Sequence, residues 1–242
     1  MSIEIFYILL FIVAVLYSSV GHGGASGYLA LMAVYGISSE ITKPTALLLN
    51  VFVSLTSFIQ FNRGGYFRKE IFLPLVLTSV PMSFAGGLLS LQEDVYKRVL
   101  GVLLLFPVIR FLFFPNAQPS ELRPANFVLS LFIGVVIGFL SGLIGIGGGI
   151  LLSPVLLLLK WTDQKQTAAI SALFIFVNSV AGLGGQLTKG IEFTSEMFLY
   201  VAIAFAGGLT GAYLGALKLN QVILKNVLAL VLLLAAAKLI FV

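Results

Sequence analysis

Two glycine clusters are the residues best placed to do chemistry. The first is Gly21-His22-Gly23-Gly24-Ala25-Ser26-Gly27 and the second is Gly142-Leu143-Ile144-Gly145-Ile146-Gly147-Gly148-Gly149, each set in an otherwise apolar stretch. Glycine is a poor helix-interior residue, so each cluster is expected to break a helix. A helix that restarts after such a break presents free N–H groups and the positive end of its dipole. Those groups hold an oxyanion without any full charge. Lipid tolerates irregular backbone only where protein or a water-filled cavity surrounds it, so two breaks at matching places in two halves of a chain point to a substrate site. Half-helices are expected to start near Gly24 and Gly148. Gly21, Gly23, Gly24, Gly145, Gly147, Gly148 and Gly149 would let an anion approach the backbone, and Ser26 would add a hydroxyl.

Polar side chains lie on the helices that follow the clusters. Asn50 and Ser54 are spaced i, i+4 and share a helix face. Asn178 and Ser179 occupy the matching helix of the second half, and an offset of 124 residues pairs Ser54 with Asn178. A buried amide needs partners for donor and acceptor alike. These four residues either bind substrate oxygens or bond a neighbouring helix, and the sequence leaves both roles open. His22 is the sole histidine. It could donate to an anion and couple transport to a proton, or it could pack against a carbonyl freed by the break. Glu4, Glu40, Glu70, Glu93, Asp94, Glu121, Asp163, Glu192 and Glu196 all fall at segment ends or in connections. Cation pathways and proton relays use buried carboxylates, so this distribution favours an anion. Cysteine is absent, which excludes thiolate chemistry and disulfides, and no cofactor or metal site is expected.

Other residues read as structural. Gly207, Gly211 and Gly215, with Gly208, Ala212 and Ala216 alongside, form a helix-packing stripe. Arg110 and Lys238 match across the two halves near the ends of their apolar runs, where snorkelling to the interface accounts for them. Gln60 and Gln186 are expected at the interface. Pro44 is expected to open a helix, and Pro81, Pro107 and Pro154 to kink or divide theirs.

The elements that must position these groups follow from composition. The chain has 242 residues, is 60% hydrophobic and only 10% charged, against about a quarter charged in a soluble domain. Its mean hydropathy is +1.11. This is an all-α, polytopic membrane protein lying in the lipid bilayer, with no feature for nucleic acid. Its net charge of +5 is spread through short connections. Apolar segments run over 3–20, 25–37, 44–61, 71–91, 96–114, 126–143, 149–159, 167–185, 196–216 and 224–241. The pieces 25–37 and 149–159 are too short to cross a core of about 30 Å. Glu4 and the lack of a basic leader make residues 3–20 a retained helix.

The halves repeat. Phe84-Ala85-Gly86-Gly87-Leu88 recurs as Phe205-Ala206-Gly207-Gly208-Leu209, and the clusters align at an offset of 124. A first repeat at 1–115, a linker at 116–124 and a second repeat at 125–242 are therefore expected. If each cluster joins a helix and a half-helix into a hairpin, three further crossings invert the second half. Lys and Arg then divide eight (Arg63, Arg68, Lys69, Arg123, Lys160, Lys165, Lys218, Lys225) to four (Lys43, Lys97, Arg98, Lys189). The parallel alternative divides them seven to five, so the positive-inside rule prefers inversion.

The paired glycine clusters, the second followed by Ser153-Pro154, together with Ser171-Ala172-Leu173-Phe174 leading to Asn178-Ser179, and Leu49-Asn50 in the first half, resemble the sulfite exporter TauE/SafE family, also called toluene-sulfonate uptake permeases. The resemblance covers essentially the whole chain. It implies a secondary transporter of small sulfur-containing anions working by alternating access, in the inner membrane of a bacterium. It names neither the particular anion nor the oligomeric state. His22 departs from the apolar residue that Ile146 keeps in the second cluster. A passive anion channel of the same fold is the alternative. Gly24-Ala25-Ser26-Gly27 superficially matches the serine motif of rhomboid-type proteases. Such an enzyme needs a histidine from another helix, and the chain has no second histidine, so no enzymatic activity is expected.

Overall fold

A computed structural model describes residues 3–19, 24–113, 121–191, 193–217 and 221–241. Among them ten helices form and no strand: α1 (Ile3–Ser19), α2 (Ala25–Val34), α3 (Ser39–Arg63), α4 (Lys69–Leu88), α5 (Glu93–Phe113), α6 (Phe127–Ile144), α7 (Gly149–Leu158), α8 (Gln164–Leu187), α9 (Ser195–Leu217) and α10 (Gln221–Phe241). Each corresponds to one apolar segment of the sequence. Helices α3, α4, α6 and α8 are long and apolar enough to cross a membrane. The 10-residue α2 and α7 rise only about 15 Å each, half the bilayer core.

Both half-helices begin directly after a left-handed glycine. Gly24 (φ 80°) caps α2, and Gly145 (φ 90°), Gly147 (φ 73°) and Gly148 (φ 76°) separate α6 from α7. Only glycine adopts these angles without strain. Pro44 does not open its helix. Helix α3 opens at Ser39, five residues before Pro44, and the carbonyl that Pro44 leaves unbonded belongs to solvent-exposed Glu40. Pro81, Pro107 and Pro154 lie inside α4, α5 and α7 without dividing them.

Contacts at the helix ends define two faces. On one, Lys165 Nζ donates to Tyr66 Oη at 3.0 Å and Arg123 N–H donates to the Lys160 carbonyl at 2.7 Å. The second bond ties the start of α6 to the end of α7, so this pair is a hairpin opening on the Tyr66 face. On the other face, Ser39 N–H donates to Glu93 Oε2 at 3.1 Å and Lys189 Nζ to Ser90 Oγ at 3.0 Å. There the rings of Phe6 and Tyr35 meet at 5.1 Å, joining the start of α1 to the end of α2. Lys238 Nζ donates to the Val34 carbonyl at 3.0 Å, capping α2 rather than simply reaching for water. The two hairpins thus open on opposite faces.

Backbone-to-backbone packing locks this arrangement. Gly134, Gly138 and Gly142 form a stripe on α6, and a Cβ at each would strike the carbonyl oxygen of Leu75, Ser79 or Ser83 on α4. A Cβ on Gly87 of α4 would strike the Gly182 carbonyl of α8, and one on Gly185 of α8 the Phe84 carbonyl of α4. Gly207 and Gly211 of α9 lie on the Phe11 and Val15 carbonyls of α1, the packing role read from the sequence. The extensive helix pairings α4–α6, α1–α9, α3–α8 and α5–α10 each join an element of the first half to one of the second.

Replacing Gly138 by Ala should therefore push α4 from α6 and cost about 1–3 kcal/mol. Gly184→Ala, whose Cβ would meet Phe84 only at ordinary contact distance (3.6 Å), should be neutral or slightly stabilising. Thermal unfolding of the detergent-solubilised variants checks the contrast.

Candidate functional site

Among the described residues, the break between α6 and α7 leaves a cluster of polar groups without partners. Gly145 N–H still donates to the Ser141 carbonyl (2.8 Å), and Leu151 and Leu152 both donate to the Gly148 carbonyl (3.1 and 3.0 Å). Between them, the N–H groups of Ile146, Gly147, Gly148, Gly149 and Ile150 have no acceptor among the described residues. Residues 145–149 are buried. Consecutive free N–H groups at left-handed glycines and a helix N-terminus make an anion-binding concavity.

Side chains from both halves converge on it. A Cβ on Gly147 would lie 2.6 Å from Asn50 Nδ2, 2.8 Å from Ile175 Cγ2 and 3.0 Å from Ser179 Oγ. A Cβ on Gly148 would lie 2.9 Å from Phe174 Cε1 and from Ile137 Cγ2, and 3.4 Å from Ser141 Cβ. Asn50, Ser141 and Ser179 have no measurable exposure, yet Asn50 Nδ2 and Oδ1, Ser141 Oγ and Ser179 Oγ form no hydrogen bond. Native proteins rarely leave such groups unpaired, because each costs about 1–3 kcal/mol. A cluster of them around one stretch of free backbone N–H groups makes this the candidate site. The hydroxyls and the amide Nδ2 can donate to an oxyanion.

The sequence-derived candidates divide accordingly. Asn50, Ser179, Gly147 and Gly148 come together, with Gly145 and Gly149 flanking them. Asn178 is buried one residue from Ser179, its Nδ2 donating to the Phe174 carbonyl (2.8 Å) while its Oδ1 stays unpaired. Ser54 is occupied instead by a bond from its hydroxyl to the Asn50 carbonyl on its own helix. Ser26 Oγ shares a hydrogen bond of 2.8 Å with Tyr17 Oη, and Gly24 packs under the Tyr28 ring of its own helix. Neither reaches the Asn50–Gly147 cluster by a described contact. Gly21, His22 and Gly23 lie outside the described residues. Among the described residues no group of acidic or histidine side chains could hold a metal ion.

Sequence reasoning passed over three groups. Ser141 carries a signal in retrospect, since the offset that aligns the glycine clusters pairs it with Tyr17, the residue that binds Ser26. Lys43 is 4% exposed and its backbone abuts Gly145 (Cα 3.2 Å from the position of a Gly145 Cβ). Gln186, expected at the interface, is 3% exposed because α8 is pressed onto α4 there.

Comparison with known proteins was informative on sequence. The family model for the sulfite exporter TauE/SafE family matches residues 6–239. A probable membrane transporter protein of Sinorhizobium fredii is 35% identical over 241 residues, covering 96% of this chain and 95% of that protein. Another, from Methanocaldococcus jannaschii, is 28% identical over 207 residues, covering 81% and 76%. A sulfite exporter TauE/SafE family protein of Arabidopsis thaliana is 30% identical over 79 residues, 33% of this chain and 17% of the plant protein. No solved structure matches.

Because the orphaned groups burden the empty protein, Ser179→Ala should raise the thermal midpoint of the ligand-free transporter, by the equivalent of about 1 kcal/mol or more. If Ser179 instead served as glue between helices, the same change would lower it.

Proposed function

The chain belongs to the sulfite exporter TauE/SafE family, and on that premise we propose that it carries small sulfur-containing anions, of the sulfite and sulfonate class, by alternating access around the Gly145–Gly149 break. That it is an integral membrane transporter of the plasma membrane, and not an enzyme, follows from the family and its relatives. One observation carries the substrate class. The unpaired groups at the break are amide N–H, hydroxyl and carboxamide groups, and every carboxylate among the described residues sits at a helix end or in a connection. Such a lining compensates a dispersed negative charge and brings no full negative charge to a cation.

The apolar wall between Asn50 and the Glu93 face supports a carrier over an open pore. Leu47 Cδ1 lies 3.4 Å from the position of a Gly182 Cβ, and both residues are buried. A passive channel would need that contact opened permanently. In our reading residues 1–115 and 125–242, joined by 116–124, are inverted repeats that rock against each other. The Tyr66 face, which holds the starts of α4 and α8 with Arg63, Arg68, Lys69, Lys160 and Lys165, is cytoplasmic. A co-transported proton would travel on His22 or on the substrate itself as bisulfite.

Detergent-purified protein should be stabilised thermally by millimolar methanesulfonate or sulfite and not by choline or glucose, since ligand binding favours the folded state. Asn50→Ala should weaken that response roughly tenfold to a hundredfold, the value of one or two charge-assisted hydrogen bonds. Reconstituted protein should show saturable counterflow of methanesulfonate. Stabilisation by choline alone, or flux linear in concentration, would contradict the reading.

A further inference from the structure

On the Glu93 face the starts of α3 and α5, the end of α8 and the start of α9 surround a cavity of about 770 Å³. Its lining includes Lys43, Glu93, Gln186 and Lys189. Two of these are nearly sealed in protein. Lys43 is 4% exposed, and among the described residues its ammonium has no hydrogen bond or ion pair, only the face of the Tyr96 ring at 5.1 Å. Gln186 is 3% exposed and its Nε2 has no partner. A buried, unpaired ammonium is costly, and a ring face offsets only part of that cost.

The carboxylates nearby are otherwise engaged. Glu93 accepts the Ser39 N–H at 3.1 Å and lies 3.9 Å from Lys97 Nζ, while Glu40 is exposed to solvent. Lys189, held to Ser90 at 3.0 Å, adds a second positive charge at the rim. Its own pKa lies below the ordinary lysine value because it is partly desolvated. The inner wall of the cavity therefore offers an ammonium and an amide donor that are both without a hydrogen-bond partner.

Lys43 and Asn50 are seven residues apart on α3, and Gln186 and Ser179 seven apart on α8, so each pair is separated by about 10 Å along its helix. The two helices run antiparallel, so Lys43 and Gln186 stand together one level above Asn50 and Ser179. Leu47 against Gly182 is the partition between the levels.

We propose that this cavity is a second anion site, a vestibule in which Lys43 and Gln186 hold a soluble sulfonate-like oxyanion before the Leu47–Gly182 partition opens to the Asn50 site. It rests on the preceding reading only for the class of anion, because its residues are different. An anionic lipid headgroup would offer the same oxyanion chemistry, and the test separates the two sources.

The chain has no cysteine, so Ser38→Cys places a unique thiol at the cavity rim, on a residue whose side chain makes no capping bond. In phosphatidylcholine vesicles an anionic methanethiosulfonate bearing an ethylsulfonate group should label this thiol at least fivefold faster than its trimethylammonium counterpart. Free methanesulfonate should slow the anionic reagent. Adding Lys43→Gln should abolish the preference and Lys43→Arg should keep it. Gln186→Met should weaken the protection by methanesulfonate severalfold and serves if Lys43→Gln does not fold. Adding Asn50→Ala should leave the preference intact, so failure of the central site and failure of the vestibule give different results. Equal rates, faster cationic labelling, a preference that survives Lys43→Gln, or protection that comes from phosphatidylglycerol vesicles and not from methanesulfonate would each overturn the proposal.

Discussion

The backbone of a membrane protein cannot leave its N–H and C=O groups unpaired against lipid, and the rest of this structure depends on how that constraint is met. Eight of the ten helices meet it over most of a bilayer's depth by ordinary helical bonding. The remaining two, α2 and α7, stop about halfway, so the free ends between α1 and α2 and between α6 and α7 must be housed in protein. The close glycine contacts supply that housing. By bringing α4 against α6 and α8, and α9 against α1, they bury residues 24–27 and 145–149 inside the fold rather than at its lipid surface.

The side chains described at the two breaks are bonded differently. At the first, the Tyr17 and Ser26 hydroxyls satisfy each other and Tyr28 covers Gly24. At the second, Ser141 stands where the alignment of the halves places Tyr17, and its hydroxyl forms no hydrogen bond. The N–H groups of residues 146–150 stay free, and the nearest side chains, Asn50 and Ser179, are themselves unpaired. Helix α3 then connects this polar centre to the Glu93 face, with Asn50 at one level, Leu47 as an apolar step and Lys43 in the outer cavity.

Much of this was legible from residue types. Ten apolar runs gave ten helices, because hydropathy over about 20 residues is a strong signal in a membrane protein. The glycine clusters marked both breaks, since few other residues tolerate a positive φ. The α9–α1 packing was visible in the spacing of Gly207 and Gly211, yet the same spacing at Gly134, Gly138 and Gly142 went unread beside the more conspicuous glycine cluster that follows. The start of α3 was misplaced because Ser39–Lys43 is polar, although a helix can begin outside the apolar core. The burial of Lys43 and Gln186 and the meeting of Asn50 with Gly147 were not legible, because they depend on how one half packs on the other. Ser54 and Ser26 looked equivalent to Ser179 in sequence, and only the local bonds to the Asn50 carbonyl and to Tyr17 set them apart.

The most direct test is an experimental map of the protein soaked with 2-bromoethanesulfonate, whose bromine scatters anomalously and whose sulfonate mimics the proposed cargo. The account predicts sulfonate oxygens within about 3 Å of the Gly147–Gly149 N–H groups and of Asn50 and Ser179, normal hydrogen-bond range. A bromoethanesulfonate found only at the first break or in the lipid-facing grooves, with ordered water filling the Gly147 concavity at saturating ligand, would contradict it.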